Sequence, residues 1–500
     1  MINRHFTLRG NDFLGDLPKR LYARLDDVQL PGPPAAKVRL AFDAVDADWL
    51  NEQGQTDPLF DFSNLADLEK AWEGQWDASK KVAGSSPFGT MPLYRLEVEC
   101  SWGTGVLEGK SPSDFMESGS PDTGLAKQES SWFEFDVLPH HSAEFTQADL
   151  YPGLFVPPMA AWVRGKLPSP AAGKALSGIF DFSHVATLLT SGFSLGGAVA
   201  DLLGVYDVGQ GSASALLDDK GRATLFYDLG CGVYANHSTA PASLSFCCCV
   251  SPDPMVLLSH WDADHWAGAY WAASASGPFP ALSKTWIAPD QKPGPVHTAF
   301  AYDIFRFGSL YLWRSGAIAL VPMGTGTGRR AHLALGSGTT KNYSGIVLGV
   351  EDSSPTGSSL VLTGDCDYRY FWAAMTLPSP VALIAPHHGA DITATSSPPP
   401  PSPGSYRRIV YSFGPNNTHS GVRHPTVGGM NPHISAGWDH GTWPSDPPPG
   451  PGSSISGADA LATCVHGSTV RDSIVVGWTL PSTPLHNCGG TRCTTTLRQS

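Results

Sequence analysis

The chain has 500 residues, too many for one ordinary core, and 41% of them are hydrophobic, so at least two packed domains are expected. Only 15% are charged while glycine (54) and proline (43) are abundant, which points to a loop-rich globular protein and excludes a fibrous or charge-rich disordered one. The net charge of −13 sits mostly in residues 1–200, with 26 acidic against 16 basic side chains, which excludes the basic face of an autonomous nucleic-acid-binding module.

At the N-terminus, MINRHFTLRGNDF lacks the apolar run of a secretory signal. In residues 1–200, AAKVRLAFDAV (35–45) reads as a strand and SNLADLEKAWEGQW (63–76) as a helix opening on Ser63. Residues 101–130 read as loop, and His140 and His141 as surface histidines. This acidic domain, expected to mix helix and strand, shows no catalytic motif and is a candidate surface for a protein partner. VATLLTSGFSLGGAVADLLGVY (185–206) is diluted by Gly, Ser and Thr and interrupted by Asp201, so a buried helix is expected and no membrane association. The nine cysteines include the adjacent Cys247, Cys248 and Cys249, which suits reduced thiols and a cytoplasmic location.

From about residue 204 the pattern changes. GVYDVGQGSASALLDD, ATLFYDLG and PMVLLSH are short apolar runs parted by turn residues, as successive strands are. DHWAGAYWAA reads as a helix, KTWIAPD as a strand and PVHTAFAYDIFRFGSLYLW as a helix. AIALVPM, RRAHLAL, SGIVLGVE and SSLVLTGD form a second group of strands, before a helix (YRYFWAAMTL) and the strands VALIAPHHGA and RRIVYSFG. The predicted architecture for 204–500 is therefore α/β, an αββα sandwich, preceded by a separate domain over 1–200. Pro-rich segments at 393–405 and 444–457 read as disordered insertions.

The chemistry concentrates in SHWDADHWAG (259–268), where a strand runs into His260, Asp262, Asp264 and His265. Four such polar groups at the mouth of a core strand are costly unless something binds them. On an extended segment His260 and Asp262 share one side, while Asp264 and His265 open the next turn, so one loop can offer two ligand pairs to two neighbouring metal ions. Later strand ends supply Asp365, where a carboxylate can bridge two ions, then His387 and His388, then Asn417, His419 and His424. Cys464, His466, His486, Cys488 and Cys493 match no standard zinc-finger spacing and read as free thiols and histidines.

VYDVGQGSASALLDDKGRATLFYDLG, LLSHWDADHWAG, KNYSGIVLGVEDSSPTGSSLVLTGD, ALIAPHHGA and IVYSFGPNNTHSGVRHP follow one another in that order. Together, over about residues 204–480, they resemble the metallo-β-lactamase superfamily, above all the hydrolase domain of ComEC-like DNA-uptake proteins. The resemblance implies that His260 and Asp262 hold one metal, Asp264 and His265 a second, and Asp365 bridges them. It places His387 or His388 and His424 as later ligands or supporting groups, and Asp228 as the residue that orients the His–Asp loop. This chain has Ser212 where the relatives carry an acid after GQG, Ala390 after HHG, and Asp262 where the superfamily usually has histidine; these positions bear on substrate placement more than on metal binding.

Such a carboxylate-rich set suits Mn²⁺ as well as Zn²⁺. Two ions would generate hydroxide at neutral pH and stabilise an in-line phosphoryl transfer, with His388 or His424 protonating the leaving group. The expectation is a dinuclear phosphodiesterase with DNA as the substrate class that the resemblance implies. A small-molecule hydrolase acting on a nucleotide, cyclic nucleotide or ester is the alternative, and an interaction subunit working through residues 1–200 is a second.

Overall fold

The computed structural model describes residues 2–499 except 11–14, 30–36, 80–85, 102–131, 185, 190–193, 196, 243, 245, 247–253, 272–278, 315, 317, 325–327, 354–356, 419–421, 442, 444–457, 468, 470 and 481–496. It is a mixed α/β structure in two compact units. One comprises Met1–Thr187, Lys292–Leu310 and His419–Val422, the other Leu188–Gln291, Tyr311–Thr418 and Arg423–Ser500. The expected loop at 101–130, the cysteine triplet, His419, the insertion at 444–457 and His486, Cys488 and Cys493 lie almost wholly outside the described residues.

The first unit is a closed six-stranded antiparallel barrel, in the order Arg20–Gln29, Lys37–Asp46, Leu93–Ser101, Thr146–Tyr151, Met159–Lys166 and Trp132–Leu138. Strict alternation builds it: Val38, Leu40, Phe42 and Ala44 point inward and pack with Leu21, Ala23, Leu25, Leu96, Val98, Phe133, Phe135 and Val163. Helices Leu65–Ser79 and Pro170–Ile179 pack on each other beside it. His140 and His141 are exposed. Helix Pro295–Phe307, encoded between two strands of the other unit, packs on strands Lys37–Asp46 and Leu93–Ser101. Its residues from Pro295 to Ile304 are all buried, so this helix belongs to the barrel's own core.

In the second unit, two sheets share one core. The larger runs Leu497–Gln499, Ser473–Gly477, Leu202–Val205, Ala213–Leu217, Ala223–Leu229, Met255–Leu257, Thr285–Pro289, Ser309–Trp313 and Thr187–Leu189. The smaller runs Ala319–Met323, Arg329–Leu335, Ile346–Asp352, Ser359–Leu362, Pro380–Ile384, Arg408–Tyr411 and Ala460–Ala462. Leu203, Val205, Leu216, Leu225 and Leu257 of the first interleave with Leu333, Leu348, Leu360, Val381 and Val410 of the second. Alternate residues Val347, Val361, Leu383 and Ile409 face the other way, under Phe371, Met375, Met430 and Trp438. Both faces of the smaller sheet's central strands are therefore dry, whereas Leu320 on the edge strand is exposed, and emptying a site such as Leu360 by substitution with alanine costs about 2–5 kcal/mol.

Three readings need correction. The described residues of 185–206 form no helix and contain the strands Thr187–Leu189 and Leu202–Val205. The helix predicted for 295–313 stops at Phe307, and Gly308 turns the chain into the strand Ser309–Trp313. Segment 393–405 is packed, not a disordered insertion. Ser396 and Ser402 are buried, the Trp438 indole donates to Pro399 O at 2.9 Å, and Ser402 N donates to Pro380 O at 2.8 Å.

The loan of helix Pro295–Phe307 to the barrel generates a prediction. A chain beginning at residue 204 retains every candidate ligand but leaves Val296, Phe300 and Ile304 without the strands that cover them. It should aggregate or melt far below the full-length protein, as read by soluble yield and thermal unfolding. A fragment as stable as the full chain would show that the helix is held within its own segment.

Candidate metal centre

Strand Ala223–Leu229 carries Asp228, fully buried and in the left-handed region at φ 61°. Its carboxylate accepts from Ser259 N (2.7 Å), from Ser259 Oγ (2.8 Å) and from His265 Nδ1 (2.8 Å). With its own proton given to Asp228, Ser259 Oγ accepts from His260 Nδ1 at 3.0 Å. Both imidazoles are thus fixed through Nδ1, which in the neutral rings leaves each Nε2 a lone pair. The rings lie 4.0 Å apart, and neither buried Nε2 makes a well-aligned hydrogen bond.

Close backbone contact seats this loop. A methyl group at Gly230 would lie 1.7 Å from Asp264 O, and one at Gly268 would lie 2.3 Å from Gly230 O. Ser212 N also donates to Asp264 O at 3.0 Å, so the strand ends grip the loop by its main chain. Of the helix expected over 264–273, the described residues form a turn at Ala263–His265 and the short helix Gly268–Trp271.

The smaller sheet brings the remaining groups. Strand Ser359–Leu362 leads into Gly364, at φ 54°, where a side chain would meet Ser259 Cβ at 2.6 Å. That close approach sets Asp365 with Oδ1 3.1 Å from His265 Nε2 and Oδ2 3.7 Å from His260 Nε2. After strand Pro380–Ile384, His387 and His388 adopt φ 48° and 55°. His388 Nδ1 donates to Ser412 O at 2.9 Å, which turns Nε2 to within 3.1 Å of Asp264 Oδ2. His387 is part-exposed, its Nε2 3.6 Å from Asp365 Oδ2.

Two groups result, each with its donor atoms within 4.8 Å of one another: His260, His265 and Asp365; and Asp264, His265 and His388. Asp262 stands beside the first, Oδ2 3.2 Å from His260 Nε2, while its Oδ1 lies 2.5 Å from Lys341 Nζ. His424 lies outside both. Asn417 holds its backbone through hydrogen bonds to N and O, and its ring packs edge-on to His387 with centroids 5.7 Å apart. Cys464 is a buried free thiol bonded to Phe413 O, and His466 bonds to His424 O, so neither joins the centre.

Sequence reasoning missed Ser259, Lys341 and the carbonyl of Ser412. The first had a signal, a hydroxyl immediately before the histidine; the other two converge only through the fold.

Burial alone would raise the Asp365 and Asp264 carboxyls, but neighbouring imidazoles outweigh it. His265, His387 and His260 hold Asp365 well below the carboxylate range, and His265 and His388 lower Asp264. Burial likewise opposes charge on His265, yet Asp365, Asp228 and Asp264 raise it well above an ordinary histidine. His388 is raised too, against burial, by Asp264 and Asp365. Converging carboxylates and imidazoles, with the Nε2 atoms of His260 and His265 buried and without a well-aligned hydrogen bond, are a donor set that fits divalent metal ions.

A scan against protein-family models found no match to this chain, and a search of curated proteins found none either.

Two predictions follow from the network. Replacing Asp228 with asparagine leaves three donors facing an amide and should cost about 3–5 kcal/mol in denaturant unfolding, with loss of bound metal. A variant of unchanged stability and metal content would contradict the anchoring role. Asp365, Asp228 and Asp264 favour a proton on His265 in the absence of metal, so a metal binding through Nε2 competes with that proton. Titration with Mn²⁺ or Zn²⁺ near neutral pH should therefore release protons, and affinity should rise with pH. Binding with no proton release would show that His265 is not a ligand.

Proposed function

We propose that the two-sheet unit is a metallo-β-lactamase-type hydrolase, an αββα sandwich similar to the ComEC-like nuclease domains, and that it cleaves phosphodiester bonds, with DNA as the substrate class. The observation that carries the reading is the convergence of His260, Asp264, His265, Asp365 and His388 at the C-terminal ends of strands from both sheets. Packed aromatic and aliphatic side chains over the smaller sheet support the sandwich, and the order of the sequence motifs supports the family.

His260, His265 and Asp365 suit one ion, and Asp264 with His388 a second, with His265 between them. Zinc or manganese held there would supply Lewis acidity and an acidified water. Asp228 and Ser259 keep the two imidazoles aimed, and the Ser412 carbonyl does the same for His388. The His388 Nε2 that was a candidate proton donor is turned to Asp264, so proton donation to the departing oxygen falls to the neighbouring pair His387 and His424. Asp262, paired with Lys341, completes the surroundings of the first ion as a neutralised neighbour.

A small anionic substrate is the second reading, favoured by the net charge of −13, which repels a long polyanion. A partner bound through residues 1–200 would relieve that repulsion. Among the described residues no helix is long and apolar enough to cross a membrane. The buried free thiols Cys231, Cys366 and Cys464 support a reducing, cytoplasmic setting.

The test is a cleavage panel of single-stranded DNA, duplex DNA, RNA and cyclic nucleotides with Mn²⁺ or Zn²⁺. Asp264→Ala and His265→Ala should each lower phosphodiester cleavage at least about a hundredfold. Cleavage of mononucleotide esters without cleavage of DNA would decide for the second reading. Full activity in chelated Asp264→Ala protein would remove the mechanism altogether.

A further inference from the structure

The barrel has charge buried on its outer face. Asp43 pairs across the strands with Arg24 on one side and Arg95 on the other, and all three are buried. The register of the first strand slips between Leu25 and Asp27, so Asp26 is an extra residue, a bulge that turns its side chain toward the same place. Helix Pro295–Phe307 closes over this face and delivers His297 in its first turn.

Within the cluster the carboxylates divide their oxygens. Asp26 Oδ2 lies 2.5 Å and Asp43 Oδ1 3.9 Å from Arg95 Nη1. The opposite oxygens, Asp26 Oδ1 and Asp43 Oδ2, stand 3.2 and 3.0 Å from His297 Nε2. Asp43 is fully buried, yet neither of its oxygens makes a well-aligned hydrogen bond. The space it fills exists because residue 294 is glycine: a methyl there would meet Asp43 Cβ at 2.4 Å. An imperfectly bonded buried carboxylate is expensive, and a cation between these atoms would relieve that cost.

We propose that Asp26, Asp43 and His297 form a second divalent-cation site, a structural one that ties the barrel strands to the helix laid over them. Three donors with all ligand atoms within 4.8 Å of one another meet the requirement of convergence. Edges of 3.0 and 3.2 Å match the spacing of about 3 Å between ligands bonded at about 2.1 Å to one ion. Two carboxylates and an imidazole suit Mn²⁺ or Zn²⁺ better than Mg²⁺, and Arg95 braces the carboxylates from behind. The competitor is a proton: burial opposes charge on His297, but Asp43 and Asp26 outweigh it and push the ring up to about 9. Proton and metal seek the same three atoms.

The experiment uses the full chain with the candidate centre disabled by His265→Asn and Asp365→Asn. After loading with Mn²⁺ or Zn²⁺ and desalting, elemental analysis should find one ion retained per chain. Chelation should lower the melting temperature by about 5 °C or more. Adding Asp43→Asn, or His297→Gln if the former does not fold, should reduce the ion content by one. Retention of no ion by the disabled chain, with a melting temperature that neither metal nor chelator moves, overturns the site and leaves a protonated His297 as the occupant. That result needs no change to the cluster, and it leaves the reading of the candidate centre untouched.

Discussion

The candidate centre depends on one carboxylate that binds nothing outside the protein. Asp228 accepts three hydrogen bonds from two residues of the next loop, and through Ser259 it also fixes His260. A buried carboxyl group is tolerable only with such saturation by hydrogen bonds, and here those bonds also order two imidazoles. Both rings then present Nε2 to the same space, aimed there by the protein's own hydrogen bonds. The alignment of the centre is a property of the strand end and not of the ligands themselves.

Strain and close packing do the rest. Asp228, His387 and His388 all occupy the left-handed region without being glycine, where each residue costs on the order of 1–3 kcal/mol. Such torsions persist only where surrounding bonds over-determine them, and here they do: His388 is held by Ser412 O, and His387 N donates to Gly364 O. The true glycines, Gly230, Gly268 and Gly364, sit where main chain lies against the neighbouring segment and no Cβ fits. The two sheets can therefore bring their strand ends within ligand-to-ligand distance.

The central strands of the smaller sheet were legible because alternation survives even when both faces are dry: Ile346, Leu348 and Val350 go to one core and Val347 to the other. The histidine–aspartate loop was legible because four ligand-type residues in six positions have few other uses. The helix over 295–307 was readable by period, but not its stop at Gly308 or its membership of the barrel, which rests on contacts with strands about 200 and 260 residues earlier in the chain. Residues 185–206 misled because an apolar, glycine-diluted run carries no period that separates helix from strand. The proline run at 398–401 misled in another way: composition signals disorder, yet Trp438 bonds Pro399 O and the following Ser402 bonds the start of strand Pro380–Ile384. Pairings such as Lys341 with Asp262 or Asp43 with His297 bridge residues far apart in sequence, and no local pattern announces them.

The loaned helix also sets a timetable. A barrel whose strands all lie before residue 167 would ordinarily finish folding as it leaves the ribosome, ahead of anything downstream. This one cannot, because the segment that covers Asp26, Asp43 and Arg95 ends at Phe307. At ordinary rates of synthesis the covering helix emerges on the order of ten seconds after the last barrel strand. For that interval the nascent barrel leaves Asp26, Asp43 and Arg95 without the helix that covers them. The two units are thus obliged to mature together, although each has a core of its own.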